Sequence, residues 1–181
     1  MKKSVISLAL FVFILGSTAG FTEEPSKEYM LKAAFLYKFF FFADWPEKTF
    51  YESESTIVLG IMGENHFGDV FKKIEGESIH GRRLTVKRLG NAVRPEMLRG
   101  CQILFINRSF DKETRSILAS LKGHPVLTVG ETATFVESGG VISFVAKEDS
   151  IGFEISQTAA ERAGIKIRAQ LLRVAARVIE E

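Results

Sequence analysis

Short apolar runs at 56–62, 101–106, 125–129, 141–146 and 151–155 constrain this chain more than any other feature. Each has the length of a buried strand and is bounded by turn residues. Stretches with helical spacing separate the first four. Strands that alternate with helices close most economically as a parallel sheet with helices packed over it. The last two runs are joined by Lys147-Glu148-Asp149-Ser150, a hairpin-length turn that adds an antiparallel pair at the sheet edge. The expected fold is α/β: one domain over 26–181, a mostly parallel central sheet flanked by helices on both faces, and a C-terminal antiparallel hairpin. The sequence shows no internal repeat and no second domain.

Residues 26–44 read as a helix. Ser26 after Pro25 suits an N-cap, and Glu28 falls in the first turn. Trp45-Pro46 ends the helix, because proline pushes the residue before it out of helical geometry. From Tyr29 to Ala43 only Lys32 and Lys38 are polar. A helix apolar nearly all round is buried or meets a partner. Phe67, Val70, Phe71 and Ile74, at i, i+3, i+4 and i+7, predict a second, amphipathic helix that stops at Gly76. Residues 79–89 read as one basic strand, and Arg82, Arg83, Lys87 and Arg88 place it at an edge. A loop is expected over 90–100. Further helices are expected over 111–122, 133–138, 157–163 and 168–178, the third capped by Ser156 and ended by Gly164.

The first nineteen residues belong to a different category. Lys2 and Lys3 precede an eleven-residue apolar stretch, Val5 to Leu15, and Ser17 and Ala19 hold the −3 and −1 positions of a signal-peptidase site. This is the pattern of a cleavable secretory signal over 1–19. Eleven residues fall well short of the ~20 that span a bilayer. The whole chain carries 24 Lys+Arg against 22 Asp+Glu, and the signal holds two of the Lys and no acid, so the exported part is formally neutral. Neutrality argues against nucleic-acid binding, which relies on clustered positive charge. A periplasmic location follows. Of the 16 Phe, two leave with the signal, and five of the remainder (Phe35, Phe39, Phe40, Phe41, Phe42) crowd onto the first helix.

Chemistry is sparse. His66, His80 and His124 are far apart in sequence and lack ligand spacing, so no metal site is expected. Gly60, Gly63 and Gly68 match no nucleotide-binding spacing, and no other cofactor motif is present. A Ser109–His66 pair lacks an orienting acid, so no catalytic residues are assigned. In an open α/β sheet, ligands gather beyond the carboxyl ends of the strands. There the chain carries Asn65, His66, Asn107, Arg108, Ser109, Glu131 and Thr132. These loops read either as a polar ligand site or as caps and turn formers. Glu154 reads as an exposed carboxylate or as the partner of Lys32, Arg108 or Arg173. Lys166, Arg173 and Arg177 form a basic stripe along the expected last helix, either solvated or meeting anionic headgroups or an acidic protein face. The single Cys, Cys101, reads as a buried thiol or as half of an intermolecular disulfide.

The ordered motifs resemble a known family. They are Lys32-Ala33-Ala34-Phe35-Leu36-Tyr37 with Trp45-Pro46; Val58-Leu59-Gly60; Phe67-Gly68-Asp69; Gly81-Arg82; Cys101-Gln102-Ile103-Leu104-Phe105-Ile106; Val126-Leu127-Thr128-Val129-Gly130; Gly139-Gly140-Val141-Ile142-Ser143-Phe144; Phe153-Glu154-Ile155-Ser156; and Leu171-Leu172-Arg173-Val174-Ala175. The set is similar to the YfiR-like periplasmic regulators. That resemblance implies a repressor that binds the periplasmic sensor domain of an inner-membrane diguanylate cyclase, or a related sensor, and so restrains cyclic di-GMP and biofilm formation. No cofactor is expected, since the residues carry no cofactor motif. Partner contacts are then expected on the first helix (Lys32, Phe35, Tyr37, Phe39) and the hairpin strand (Phe153, Glu154), and a homodimer stays open. Two departures stand out. Phe41 lies where the family pattern carries a Lys, and one Cys cannot form the internal disulfides of some members.

Overall fold

The computed structural model describes residues 25–50, 55–91, 94–147 and 150–180. The expected signal segment lies outside the described residues. Helix α1 spans Lys27–Phe42, and its Ser26 cap accepts a hydrogen bond from the Tyr29 N–H at 3.3 Å. It runs straight into β1 (Ala43–Asp44), which pairs antiparallel with β9 (Lys166–Ile167).

Among the described residues the main sheet has eight strands. β2 (Thr56–Met62) lies at its middle, with β4 (Arg82–Gly90) on one side and β5 (Ile103–Ile106) on the other, both parallel to it. β6 (Leu127–Gly130) and β7 (Ile142–Lys147) continue beyond β5, again parallel. β8 (Ser150–Ser156) returns antiparallel to β7, and β10 (Arg177–Ile179) runs parallel to β8. β3 (Ser78–Ile79) closes the far side, antiparallel to β4. The class is α/β as expected. The sheet is mixed, however, because antiparallel pairs flank its parallel centre near both ends.

The two-residue strand period sorts the core onto two faces. Ile57, Leu59 and Ile61 of β2 pack with α1, with α4 (Gln157–Arg162) and with Leu171 of α5 (Ala169–Val174). Val58 and Met62 face the other way, toward Leu98 of α2 (Pro95–Arg99), Ile117 of α3 (Thr114–Ser120) and Leu121 just beyond it. α1 buries Tyr29, Lys32, Ala33, Leu36, Phe39 and Phe40, a stripe of helical spacing that crosses the core-facing sheet surface. The phenylalanine cluster is therefore core packing: the Phe39 ring lies 5.3 Å from Phe153 and 6.1 Å from Phe144.

Several local expectations are corrected. The strand expected over 79–89 breaks at His80-Gly81, where φ values of 51° and 79° make a tight hairpin turn. β4 is not the outermost strand, though β3 covers only Arg82 and Arg83. The helix expected after Phe67 is a short 3-10 turn over Val70–Lys73, and no helix forms over 133–138. Residues 95–99 are helical rather than loop. The last helix ends at Val174: Ala175 turns extended, the Ala176 N–H donates to the Phe153 carbonyl at 2.8 Å, and β10 covers β8. The hairpin is therefore not a sheet edge. The basic stripe dissolves as well, with Lys166 in β9, Arg173 in α5 and Arg177 in β10.

Candidate functional site

The connection that leaves β2 runs to the β4 side and the one that leaves β5 runs to the β6 side, so the neighbours β2 and β5 send the chain in opposite directions. The crevice beyond their carboxyl ends is the topological switch point, where open α/β sheets take their ligands. Gly63, with φ 99°, follows β2. A Cβ there would stand 2.6 Å from the Cβ of Asn107, the residue after β5, so glycine lets these two loops close together. Asn107 is buried and accepts the Ser109 N–H at 2.9 Å.

The first turns of α1 fill this crevice. The Glu131 carboxylate, just after β6, has a side chain only 1% exposed. It accepts Lys32 Nζ at 2.5 Å, the Tyr29 hydroxyl at 3.1 Å to each oxygen, and the Arg108 backbone N–H at 3.0 Å. Arg108 Nε stands 3.4 Å away. Lys32, itself 1% exposed, also donates to Glu28 at 2.5 Å, one helical turn back. Its ammonium sits 4.5 Å from the centre of the Tyr29 ring. Asn107 Nδ2 reaches the Tyr29 hydroxyl at 3.5 Å, and the His66 ring lies 4.9 Å from the Tyr29 ring at the rim.

The electrostatics close on themselves. Burial pushes the Glu131 carboxyl up, but the Lys32 hydrogen bond, the Arg108 N–H and both cationic charges outweigh it, so its pKa lies below the usual carboxylate value. Burial and then the Glu131 charge raise the Tyr29 phenol, which stays protonated and donating. The Glu131 charge likewise holds Arg108 in its cationic form. Two carboxylates, one ammonium and one guanidinium balance. The cluster ties α1 to the ends of β5 and β6, and its hydrogen bonds hold each proton in place. It locks the helix to the sheet.

Of the loop residues expected from sequence, Asn107, Arg108 and Glu131 converge here. His66 stands at the rim, beside Glu64 at 3.2 Å, and Asn65 and Ser109 are exposed. Thr132 turns its hydroxyl into a buried position with no hydrogen-bond partner among the described residues, while its carbonyl accepts from Ser143 at 2.9 Å. The missed members are Glu28 and Tyr29. Their signal was the spacing Glu28, Tyr29, Lys32, which places them beside the lysine one turn on.

The residues expected at a partner surface are placed differently. Lys32, Phe39 and Phe153 are buried, because α1 presents that face to the sheet. Phe35 and Tyr37 are half-buried; Phe35 packs 5.3 Å from Phe153, and Tyr37 packs 5.3 Å from Phe41. Glu154 pairs with Arg177 at 2.6 Å, not with Lys32, Arg108 or Arg173, and Arg177 also reaches Glu137 at 2.7 Å. Cys101 is a buried free thiol, pushed up to about 11 by burial, with its sulfur 3.4 Å from the Met97 carbonyl. His80 approaches the Phe40 carbonyl at 3.0 Å.

The outer face of α1 is open. Met30 is 47% and Leu31 38% exposed. With Ala34 they form one wall of a groove of about 600 Å³, whose other wall is Ala146, Ser150 and Ile151 of the β7–β8 hairpin. Lys27 and Lys147 stand at its sides without an ion pair among the described residues, and Glu28, paired with Lys32, also lines it. Among the described residues, no helix is long and apolar enough to cross a membrane.

Comparison with known proteins places the chain. A family model described as YfiR/HmsC-like matches residues 29–176. A conserved domain protein of Vibrio cholerae O1 biovar eltor strain N16961 is 13% identical, with a TM-score of 0.49 over 82% of this chain and 60% of that one. The ABC domain from Streptococcus pneumonia in complex with L-Trp is 11% identical, with a TM-score of 0.48 over 70% of this chain and 58% of that one. The chain thus spans less than two thirds of either structure. The family match runs from Tyr29 of the buried cluster to the residue before β10, and by it the chain belongs to the YfiR/HmsC-like family.

Proposed function

We propose that this protein is a periplasmic regulator that binds the sensor domain of an inner-membrane signalling protein, a diguanylate cyclase, and holds it in its inactive conformation. The observation that carries the reading is membership of a regulatory family. The filled switch-point crevice supports it, because Tyr29 and Lys32 already take the hydrogen bonds that a small ligand would need there. That favours protein docking over ligand binding in these loops.

Docking uses the open face of α1 and the hairpin. Met30, Leu31 and Ile151 offer apolar contact, and Lys27 and Lys147 suit an acidic rim on the partner. Inhibition is then a population bias: the regulator binds the inactive partner conformation better than the active one. The elements are those expected from sequence, with the contacts moved to the solvent side of α1.

The test is genetic and quantitative. Deleting the gene should raise cyclic di-GMP, and wild-type protein should restore it. A Met30→Asp/Leu31→Asp variant, exported at wild-type level, should fail to restore it. Unchanged cyclic di-GMP on deletion refutes the function, and full rescue by the variant refutes the surface.

A further inference from the structure

A second cavity lies at the opposite end of the sheet, where β6 and β7 begin. Its volume is about 630 Å³, within the range of small-molecule sites. Its floor is apolar: Val126 and Val141 are buried, and Leu118 of α3 forms part of the wall. Its charged lining, among the described residues, is of one sign. Arg115 of α3, Lys122 and His124 of the following turn, and Arg162 at the end of α4 all line it, and no carboxylate does.

This concentration of charge needs an explanation. The whole chain carries 24 Lys+Arg against 22 Asp+Glu, so three permanent cations around one cleft are a segregation and not a reflection of composition. Among the described residues, none of the four makes an ion pair. Lys122 and Arg162 stand at helix carboxyl ends, where the dipole welcomes a cation. Arg115 does not: it lies in the first turn of α3, where the dipole disfavours positive charge. Helix electrostatics therefore account for two of the cations and leave Arg115 without a local reason.

We propose that this cleft binds a small amphiphilic anion. Arg115 and Arg162 hold a carboxylate or phosphate head through paired N–H donors. A compact apolar body, an aryl ring or a short acyl chain, rests on the Val126–Val141 floor. Lys122 and His124 add donors at the rim. The site shares no residue with the buried cluster or with the α1 groove, so it stands whether or not the proposed partner is right.

Backbone amide NMR shifts of the purified protein test it, with phenyl phosphate and benzoate as probes up to about 10 mM, the range expected for ligands this small. Saturable shifts should gather at Gly123, His124, Val126, Gly139 and Ala163. Arg115→Gln/Arg162→Gln should weaken binding about tenfold or more. Both side chains are exposed, so the variant should keep the wild-type melting temperature. Benzyl alcohol, which lacks the charge, and inorganic phosphate, which lacks the ring, should each bind more weakly. Absence of saturable shifts, equal binding by the variant, or equal binding of either control overturns the proposal. Binding to phosphatidylglycerol vesicles without binding of phenyl phosphate would assign the cleft to a membrane surface and overturn it too.

Discussion

Replacing Glu131 by Gln preserves the side-chain size and one acceptor oxygen, and removes the negative charge at the centre of the buried cluster. Lys32 then keeps Glu28 alone, whose side chain is 43% exposed and correspondingly screened. Breaking a buried ion pair by deleting one partner costs about 3–5 kcal/mol. The surviving Glu28 contact and the amide oxygen, still able to accept from Tyr29 or Arg108, offset part of this. The expected loss is about 2–3 kcal/mol, at least about thirtyfold in the folding equilibrium. Urea unfolding at neutral pH, followed by circular dichroism, should show a lower midpoint with an unchanged slope. Lys32→Met should couple to it, so that the double variant loses less than the two single losses combined. The pH dependence has a definite sign. The folded carboxyl titrates below its unfolded value, so its contribution is full above the unfolded glutamate pKa of about 4.3 and disappears as pH falls through the folded one. The gap between wild type and Glu131→Gln should therefore close in acid. A loss below about 0.5 kcal/mol at pH 7, or strict additivity with Lys32→Met, refutes the lock.

Two further perturbations probe the packing. A Cβ at Gly140 would stand 2.1 Å from Phe135 Cε1, and one at Gly130 2.2 Å from Cδ2, so the ring is clamped between two glycines. Gly140→Ala should cost about 1–3 kcal/mol in chemical denaturation, and adding Phe135→Leu should return part of it; an unchanged midpoint excludes the clamp. Cys101, buried with a thiol pushed up to about 11, should react with a disulfide reagent only as the protein unfolds and should run as a monomer on non-reducing gels. Rapid labelling in native buffer contradicts this.

The local signals in the sequence were informative where the physics is local. Ser26 and Ser156 cap their helices as their positions predict, the latter accepting the Ala159 N–H at 3.1 Å. The apolar runs became strands, and the hairpin of β7 with β8 formed in register from Ile142 opposite Ile155 to Lys147 opposite Ser150. Where two outcomes competed, local pattern lost. Residues 168–178 carry helical spacing, yet β8 would otherwise expose a row of backbone groups, and 177–179 pair with it instead. His80-Gly81 turned one apparent strand into two because both residues accept positive φ.

The sequence by itself determined the class of the fold, the apolar strands of the sheet centre and hairpin, and the caps of two helices. Tertiary structure decided which face of that helix is inside, and with it the site. A lysine on an apolar helix reads as solvent-facing from any local window. Lys32 is buried because Glu131, 99 residues away, arrives opposite it with Tyr29 and Arg108. A buried charge is tolerated only where its partner is, and partners brought together by sheet order leave no mark in the spacing of either segment.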